Sequence, residues 1–315
     1  MRRPVPRAWY VLVLASVTGC STGPNASAVS TSQACADWAS ANCDKFQSCA
    51  PFLIQRDFGD LATCTARLAL ACPPNSTTSG STVMPGALEA CAHAYQTEAC
   101  ADYLSNKTPS ACAFEGSLAL GAVCAADDQC ANGYCLRLAP AACGVCAARA
   151  PVGGACFTDS DCQQTGLTCG GDTCVPLAVL GAACDQAHPC EPVLYCSNAG
   201  MCVARLGQGA ACDPTNNDDP CDATLGLYCN RVTSLCAQAQ IATAGGPCGV
   251  SADGTVSLCG AAGACQLPDG ASTGGTCQAA VLEGAACDTA NGPNCLPPGV
   301  CLGNVCASLG SSSCH

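Results

Sequence analysis

The sequence predicts a small disulfide-rich fold: a short-helix, disulfide-stapled N-terminal domain followed by a linear array of about six knottin-like cysteine repeats with little regular secondary structure. Three observations carry this expectation. Cysteine accounts for 35 of 315 residues, a density that marks a disulfide scaffold and sits badly with a reducing cytosol. From Leu120 onward the cysteines recur in units, each opening with a glycine three residues before its first cysteine. Over that stretch the aromatic residues are Tyr134, Phe157, Tyr195 and Tyr228, too few for one large core, so cross-links must take the place of burial.

Residues 1–19 read as a lipoprotein signal peptide. Arg2, Arg3 and Arg7 form a positive head, Ala8 to Val17 is an apolar stretch too short to span a bilayer, and Thr18-Gly19 precede Cys20. Cleavage before Cys20 leaves it open to acylation and leaves 34 other cysteines, an even set that can pair completely. The membrane is thus an expected partner through acylated Cys20, since several acyl chains anchor where a single one binds marginally. Residues 20–33 are small and polar and read as a lipidated flexible tether with a root-mean-square span of about 20 Å. The processed chain loses three arginines and no acids, keeping 8 basic against 23 acidic residues and a formal charge of −15. Such a balance repels phosphate backbones and argues against nucleic acid as a partner.

Residues 34–116 form the helical cysteine-rich domain, with cysteines at 35, 43, 49, 64, 72, 91, 100 and 112. Leu61, Cys64, Leu68 and Cys72 share one helical face, with Asp57 or Asp60 as the N-cap. A second helix starts near Met84-Pro85 and aligns Leu88, Cys91, Ala92 and Tyr95. An earlier one runs from Ala34 to Cys49, anchored by Trp38 and Phe46. Three or four short helices and about four disulfides are expected here.

The repeats span 117–148, 149–176, 177–204, 205–239, 240–279 and, with a tail, 280–315. Their first cysteines are 124, 156, 184, 212, 248 and 287, preceded by Gly121, Gly153, Gly181, Gly209, Gly245 and Gly284. A unit of about 28 residues is below the roughly 40 at which chains fold unaided, so disulfides must supply its stability. Four cysteines allow three pairings. First to third with second to fourth is the favoured one, giving Cys156–Cys169 and Cys162–Cys174, then Cys184–Cys196 and Cys190–Cys202. Junctions such as Val175 to Leu180 are apolar and are expected to pack between neighbours, making a rod.

The run Cys124-Ala-Ala-Asp-Asp-Gln-Cys130-Ala-Asn-Gly-Tyr-Cys135, with Cys143-Gly-Val-Cys146 after it, resembles the N-terminal cysteine-rich domain of Dickkopf-type secreted proteins. Cys156-Phe-Thr-Asp-Ser-Asp-Cys162 shares the opening found there and in nematode EB modules. The likeness covers about 25 residues per unit, is good in the first two units, and lies in framework residues, so no receptor-binding role carries over. As a whole the chain resembles cysteine-rich lipoproteins of Gram-negative bacteria, and Ser21 after Cys20 then implies sorting to the outer membrane.

Motifs with possible chemistry each have a structural reading. Cys143-Gly-Val-Cys146 has redox or zinc spacing, but no strand–helix–strand context surrounds it and the chain holds three histidines. Gly270-Ala-Ser-Thr-Gly274 matches a nucleophile elbow inside a Gly/Ser/Thr loop. Asp213, Asp218 and Asp219 are the best-placed calcium ligands, although no EF-hand loop is present. Cys314 lies outside the six units and offers an intermolecular disulfide. The expectation is therefore no catalytic residue, no resident metal and no cofactor. Function is expected to be that of a non-enzymatic, lipid-anchored surface or periplasmic scaffold engaging a protein or glycan. An inhibitor- or toxin-like binding module is the alternative, and an enzyme in the helical domain comes third.

Overall fold

The computed structural model describes residues 29–72, 79–131, 133–137, 143–163, 166–216, 218–268 and 274–307. Five helices open it: α1 (Thr31–Cys49), α2 (Pro51–Asp57), α3 (Leu61–Leu70), α4 (Pro85–Thr97) and α5 (Cys100–Leu104). Helices α2 and α5, seven and five residues long, exceed the expected three or four because so short a segment shows no periodic stripe. The Ser30 hydroxyl accepts the Gln33 N–H at 3.2 Å and starts α1 at Thr31, so residues 31–33 of the expected tether belong to the helix. Of the two cap candidates for α3, Asp60 is the cap, accepting the Thr63 N–H at 2.7 Å.

Helix α1 is the spine of this domain. Cys35–Cys72, Cys43–Cys64 and Cys49–Cys100 tie it to the segment after α3, to α3 and to α5, while Cys91–Cys112 pins α4 to a short 3₁₀ turn. The helices enclose two small cores. Leu61, Cys64 and Leu68 join Ile54 and Phe58 in one, and Cys72 joins Ala34, Val83 and Leu88 in the other, so the predicted α3 face is divided between them.

From Leu118 the chain repeats one design six times. The residue six positions before the first cysteine (Leu118, Ala150, Ala178, Leu206, Ala242 or Val281) pairs in parallel with the second cysteine. An antiparallel hairpin follows in which the third and fourth cysteines face each other, as in Cys169↔Cys174 and Cys196↔Cys202. All six units bond first to third and second to fourth once Cys143, a fifth cysteine of unit 1, is set aside so that Cys146 takes the fourth place: Cys124–Cys135 with Cys130–Cys146, Cys156–Cys169 with Cys162–Cys174, Cys184–Cys196 with Cys190–Cys202, and so on to Cys295–Cys306. The fifth unit extends its pairing into a five-stranded sheet.

The opening glycine has a physical reason. Gly121, Gly153, Gly181, Gly209, Gly245 and Gly284 all have φ between +77° and +85°. Each completes a turn closed by the following residue, as in Ala182 N–H to Val179 C=O at 2.9 Å, and donates its own N–H to the carbonyl of the fourth cysteine at 2.7–2.8 Å. No atom lies within 4 Å of where a Cβ would sit on any of the six, so the left-handed backbone and not crowding requires glycine. The same turn exposes Val179 and Leu180, which were expected to pack between units.

Adjacent units are joined by polar contacts. Arg149 pairs with Asp127 at 2.6 Å, stacks on Tyr134 at 4.9 Å and donates to the Ser160 carbonyl. Tyr134 donates to Asp161 of the next unit at 2.6 Å. Arg205, also three residues after a fourth cysteine, joins the Pro192 and Asp219 carbonyls at 2.9 and 2.6 Å. Tyr228 donates to the Gly254 carbonyl at 2.9 Å.

The array is linear in sequence but bends around the helices in space. Ser81 donates to Asp128 in unit 1 and Lys107 pairs with Glu191 in unit 3. In unit 5, Ala261 and Ala262 donate to the Gln55 and Arg56 carbonyls of α2. Arg67 of α3, 7% exposed, closes the curve on unit 6 with both carboxylate oxygens of Glu283 and the carbonyls of Leu296 and Pro297. These contacts replace the expected rod, whose apolar junctions are too exposed to stack the units end to end.

The sixteen disulfides of the described residues place the folded chain in an oxidising, non-cytoplasmic compartment. Among those residues no helix is long and apolar enough to cross a membrane.

Two stability experiments test this architecture. Gly181→Ala forces a side chain into the left-handed region and should cost about 1–2 kcal/mol, whereas Gly207→Ala, in open space without positive φ, should leave the thermal midpoint within a degree or so. Arg67→Ala should cost about 2–4 kcal/mol, below the fully buried case because Glu283 keeps 29% of its side chain in water. Amide exchange should then accelerate first across 281–307. Hydrogen bonding from Arg67 holds the Glu283 carboxyl below its ordinary 4.5, with burial opposing. A depressed folded value means the clamp contributes fully above that pH and is lost as pH falls through the folded value. The gap between wild type and R67A should narrow in acid, the bonds to the Leu296 and Pro297 carbonyls remaining.

Candidate functional site

The main cleft lies where the helical domain meets units 1 to 3, with a volume of about 680 Å³, inside the range of small-molecule sites. Its helical wall carries Asn42 and Phe46 from α1, Tyr95 from α4, Glu98 just after it, and Tyr103 from α5. Cys49–Cys100 holds α1 against α5 and thereby fixes this wall. The rings pack on one another, Tyr95 edge-to-face on Tyr103 at 5.9 Å and Phe46 tilted against Tyr103 at 6.3 Å. Tyr103 donates to Asn42 Oδ1 at 2.6 Å. Burial first, then the neighbouring Tyr95 and Glu98, pushes the Tyr103 hydroxyl well above its ordinary range.

Glu98 is the anomaly of the wall. Its Oε2 is buried and has no hydrogen-bond partner. Burial raises its pKa, the Asp102 charge adds to this, and the Lys45 charge opposes it. The Lys45 ammonium donates to the backbone carbonyl of Glu98 at 2.7 Å.

The array wall carries Asp127, Arg149, Asp159 and Thr168. These groups are engaged with one another and with the backbone. Asp127 accepts the Cys135 N–H at 3.0 Å as well as Arg149. Asp159 accepts the Cys169 N–H at 2.8 Å and the Thr168 hydroxyl at 2.6 Å. At the rim Lys107 binds Asp102 at 2.8 Å and reaches Glu191 at 3.7 Å. Next to the cleft, Asp161 takes the Phe157 and Thr158 N–H groups; burial opposes its ionisation, but those bonds and the Tyr134 hydroxyl keep its pKa below normal. The Asp-x-Asp-Cys opening is therefore a device for satisfying loop N–H groups.

The residues singled out from sequence are scattered. Asp213 accepts from Asn198 and Thr215, Asp218 from the Cys196 N–H at 2.9 Å, and Asp219 from the Cys221 and Cys229 N–H groups at 2.9 and 3.2 Å. The three carboxylates thus serve separate donors. Cys146 bonds Cys130, and Cys143 is disulfide-bonded as well. Sulfurs cluster in every unit, for instance Cys156, Cys162 and Cys174 within 4.8 Å, but a half-cystine offers no thiolate to a metal. His188 stays within its own turn on Asp185 at 2.9 Å. Cys20, Cys314, His315 and Gly270 to Thr273 of the elbow motif lie outside the described residues.

Glu98, Tyr95 and Tyr103 were not assigned to a site from sequence. The available signal was the concentration of aromatic residues in the helical domain, where Trp38, Phe46, Phe52, Phe58, Tyr95, Tyr103 and Phe114 all lie. No protein-family model, no curated protein and no solved structure matches this chain.

Proposed function

We propose that this chain is a non-enzymatic, lipid-anchored binding scaffold of the outer membrane, held there by acylated Cys20 and facing the periplasm or the cell exterior. The observation that carries the reading is the cleft. A cross-linked repeat array is folded back on a helical domain to frame a preformed pocket, and the charged groups of the array wall are spent on framing it. Lys107, Arg149, Asp127 and Asp159 all hold structural partners. Preformed walls lower the ordering cost of binding, which favours recognition of a protein or glycan partner. The lipobox before Cys20 and the acidic surface favour attachment by acyl chains over electrostatic docking on anionic lipid.

The inhibitor-like reading has one observation in its favour. Phe157 is 93% exposed on a loop that Asp161 holds rigid from within. That N–H is already donated to Asp161, which removes a backbone donor an extended protease contact would use.

Intact mass of protein extracted from membranes tests the anchored reading. The expected result is cleavage before Cys20, the added mass of acyl groups, and a gain of about 34 Da on reduction, the hydrogens of seventeen disulfides. An unacylated full-length chain rich in free thiols overturns it and moves metal binding in a reducing compartment to the front.

A further inference from the structure

We propose that Cys143 and Cys314 form a disulfide that ties the tail of the chain to unit 1 and closes the array into a covalent ring. The inference rests on the reading of Cys20 as the acylated anchor, which takes its sulfur out of the set that can pair.

The first observation is one of pairing. Of the 35 cysteines, 33 lie among the described residues, and sixteen disulfides join 32 of these to one another. The remaining one, Cys143, is disulfide-bonded within the same chain. Its partner therefore lies outside the described residues, where the sequence has Cys20 and Cys314. With Cys20 acylated, Cys314 is left. Both residues stand outside the four-cysteine plan: Cys146 fills the fourth place in unit 1, and units 2 to 6 have no counterpart of Cys143.

The second observation is that both ends of the array stand on one part of the helical domain. The segment before α4 holds unit 1. There Ser81 donates to Asp128 at 2.8 Å, and the Ser79 and Gly80 carbonyls accept from Gln129 at 2.7 Å and from the Ser117 N–H at 2.8 Å. Arg67 of α3 holds unit 6 through Glu283, Leu296 and Pro297. Val83, two residues after Ser81, and Cys72, five residues after Arg67, belong to the same buried cluster. Five residues of helix rise about 8 Å, so the grips on units 1 and 6 flank one small core.

The tail is long enough to close the gap. Seven residues separate Ala307, the end of the last hairpin, from Cys314. Fully extended they reach about 23–25 Å, and a cystine adds about 5–6 Å between Cα atoms. A unit of 28 residues is about 20 Å across by the usual size scaling. Cys143 is also half-buried, whereas Cys124, Cys130 and Cys146 are at most 2% exposed, so a reacting sulfur can approach it.

The chemistry is thiol–disulfide exchange with an oxidising disulfide-bearing protein of the export compartment. One of the two cysteine thiolates attacks the oxidant's disulfide and releases one of its sulfurs. The other thiolate then attacks the mixed disulfide. The Cys143–Cys314 bond forms, and the oxidant leaves as a dithiol carrying the two electrons and two protons. The closure spans 171 residues against at most 18 within a unit, and it secures unit 6 alongside the Arg67 clamp.

The test is tryptic digestion of the full-length, membrane-extracted protein, denatured with free thiols alkylated and disulfides intact, followed by mass measurement. Cleavage after Arg137, Arg149, Arg205 and Arg231 divides the array, and no lysine or arginine follows Arg231. Residues 150–205 hold internal bonds and should be released alone. Cys221–Cys236 keeps 206–231 on 232–315. The Cys143–Cys314 bond should hold both on 138–149, which Cys130–Cys146 joins to the rest of unit 1. In the double variant Cys143→Ser/Cys314→Ser the same digest should release 206–315, and reduction of the intact chain should add about 32 Da in place of about 34. Release of 206–315 from the wild type overturns the proposal without recourse to the variant. Retention in the double variant overturns it too, since another bond then carries the link. A disulfide-linked dimer through Cys314 does the same. Cys143 joined to the peptide bearing Cys20 overturns both this closure and the acylated anchor. Release of 206–315 from a chain whose mass shows acylation sinks the closure alone and leaves the anchored reading standing.

Discussion

The array depends on a crossing of two disulfides over one short hairpin. Third and fourth cysteines are cross-strand partners, so their side chains leave the same face, yet neither bonds the other. Each reaches back to a cysteine of the preceding loop, and two closures of 11 to 18 residues pass across one another. Strands of three or four residues do not persist alone in water. Closures of this length contribute about 3 kcal/mol each in the loop-entropy account, and two that interlock restrain the same unfolded loop, so their sum falls short of double. The sulfurs are also the core: Cys156, Cys162 and Cys174 are at most 3% exposed, with Ala150 and Leu167 as their main apolar company.

A core made of sulfur has little to offer the polar backbone of the loops around it, and that explains where the acids go. Asp127, Asp159 and Asp219 take the N–H of the third cysteine in their units, while Gln129 and Asp161 take the two N–H groups after the first cysteine. Hydrogen-bonded carboxylates thus do locally what a regular sheet would do by pairing. At the seams the same economy appears with the sign reversed. Arg149 and Arg205 stand three residues past a fourth cysteine and collect acceptors from two units at once. Arginine suits this role because its planar fork can serve several acceptors without losing its charge.

The fold class was legible because parity, spacing and aromatic scarcity are composition-level signals that survive any local irregularity. The opening glycines were visible as a repeat, but their left-handed backbone and the bond to the fourth cysteine were not. The choice among three pairings rests on which loop each sulfur faces, a matter of three-dimensional register. Val179 and Leu180 misled because an apolar pair reads as buried, whereas a turn that ends in Gly181 must point outward. The bend of the array was out of reach for a different reason. Arg67 and Glu283 are 216 residues apart, and nothing local marks either as a clamp. The position shared by Arg149 and Arg205 was readable in principle, yet Leu177, Ala239 and Ala280 occupy it in other units, so it carries no repeat signal.

The placement of the cleft follows from these constraints. Inside a unit the crossed disulfides draw the sulfurs into a small buried cluster. Space opens where units meet the helices, as in the seam between the helical domain and the first three units. Phe46, Tyr95 and Tyr103, carried by α1, α4 and α5, line the helical side, while Tyr134, buried in unit 1, carries Arg149 over its ring. The seam therefore joins a soft aromatic wall to a rigid polar one, and on the polar side the charges are neutralised by their structural duties. Glu98 sits at that boundary, next to α4 and one turn of chain from α5, where neither wall supplies its buried oxygen with a donor. Glu89 of α4 shares the condition, so the same helix carries both of the carboxylates left with an unpartnered buried oxygen among the described residues, one in it and one at its end.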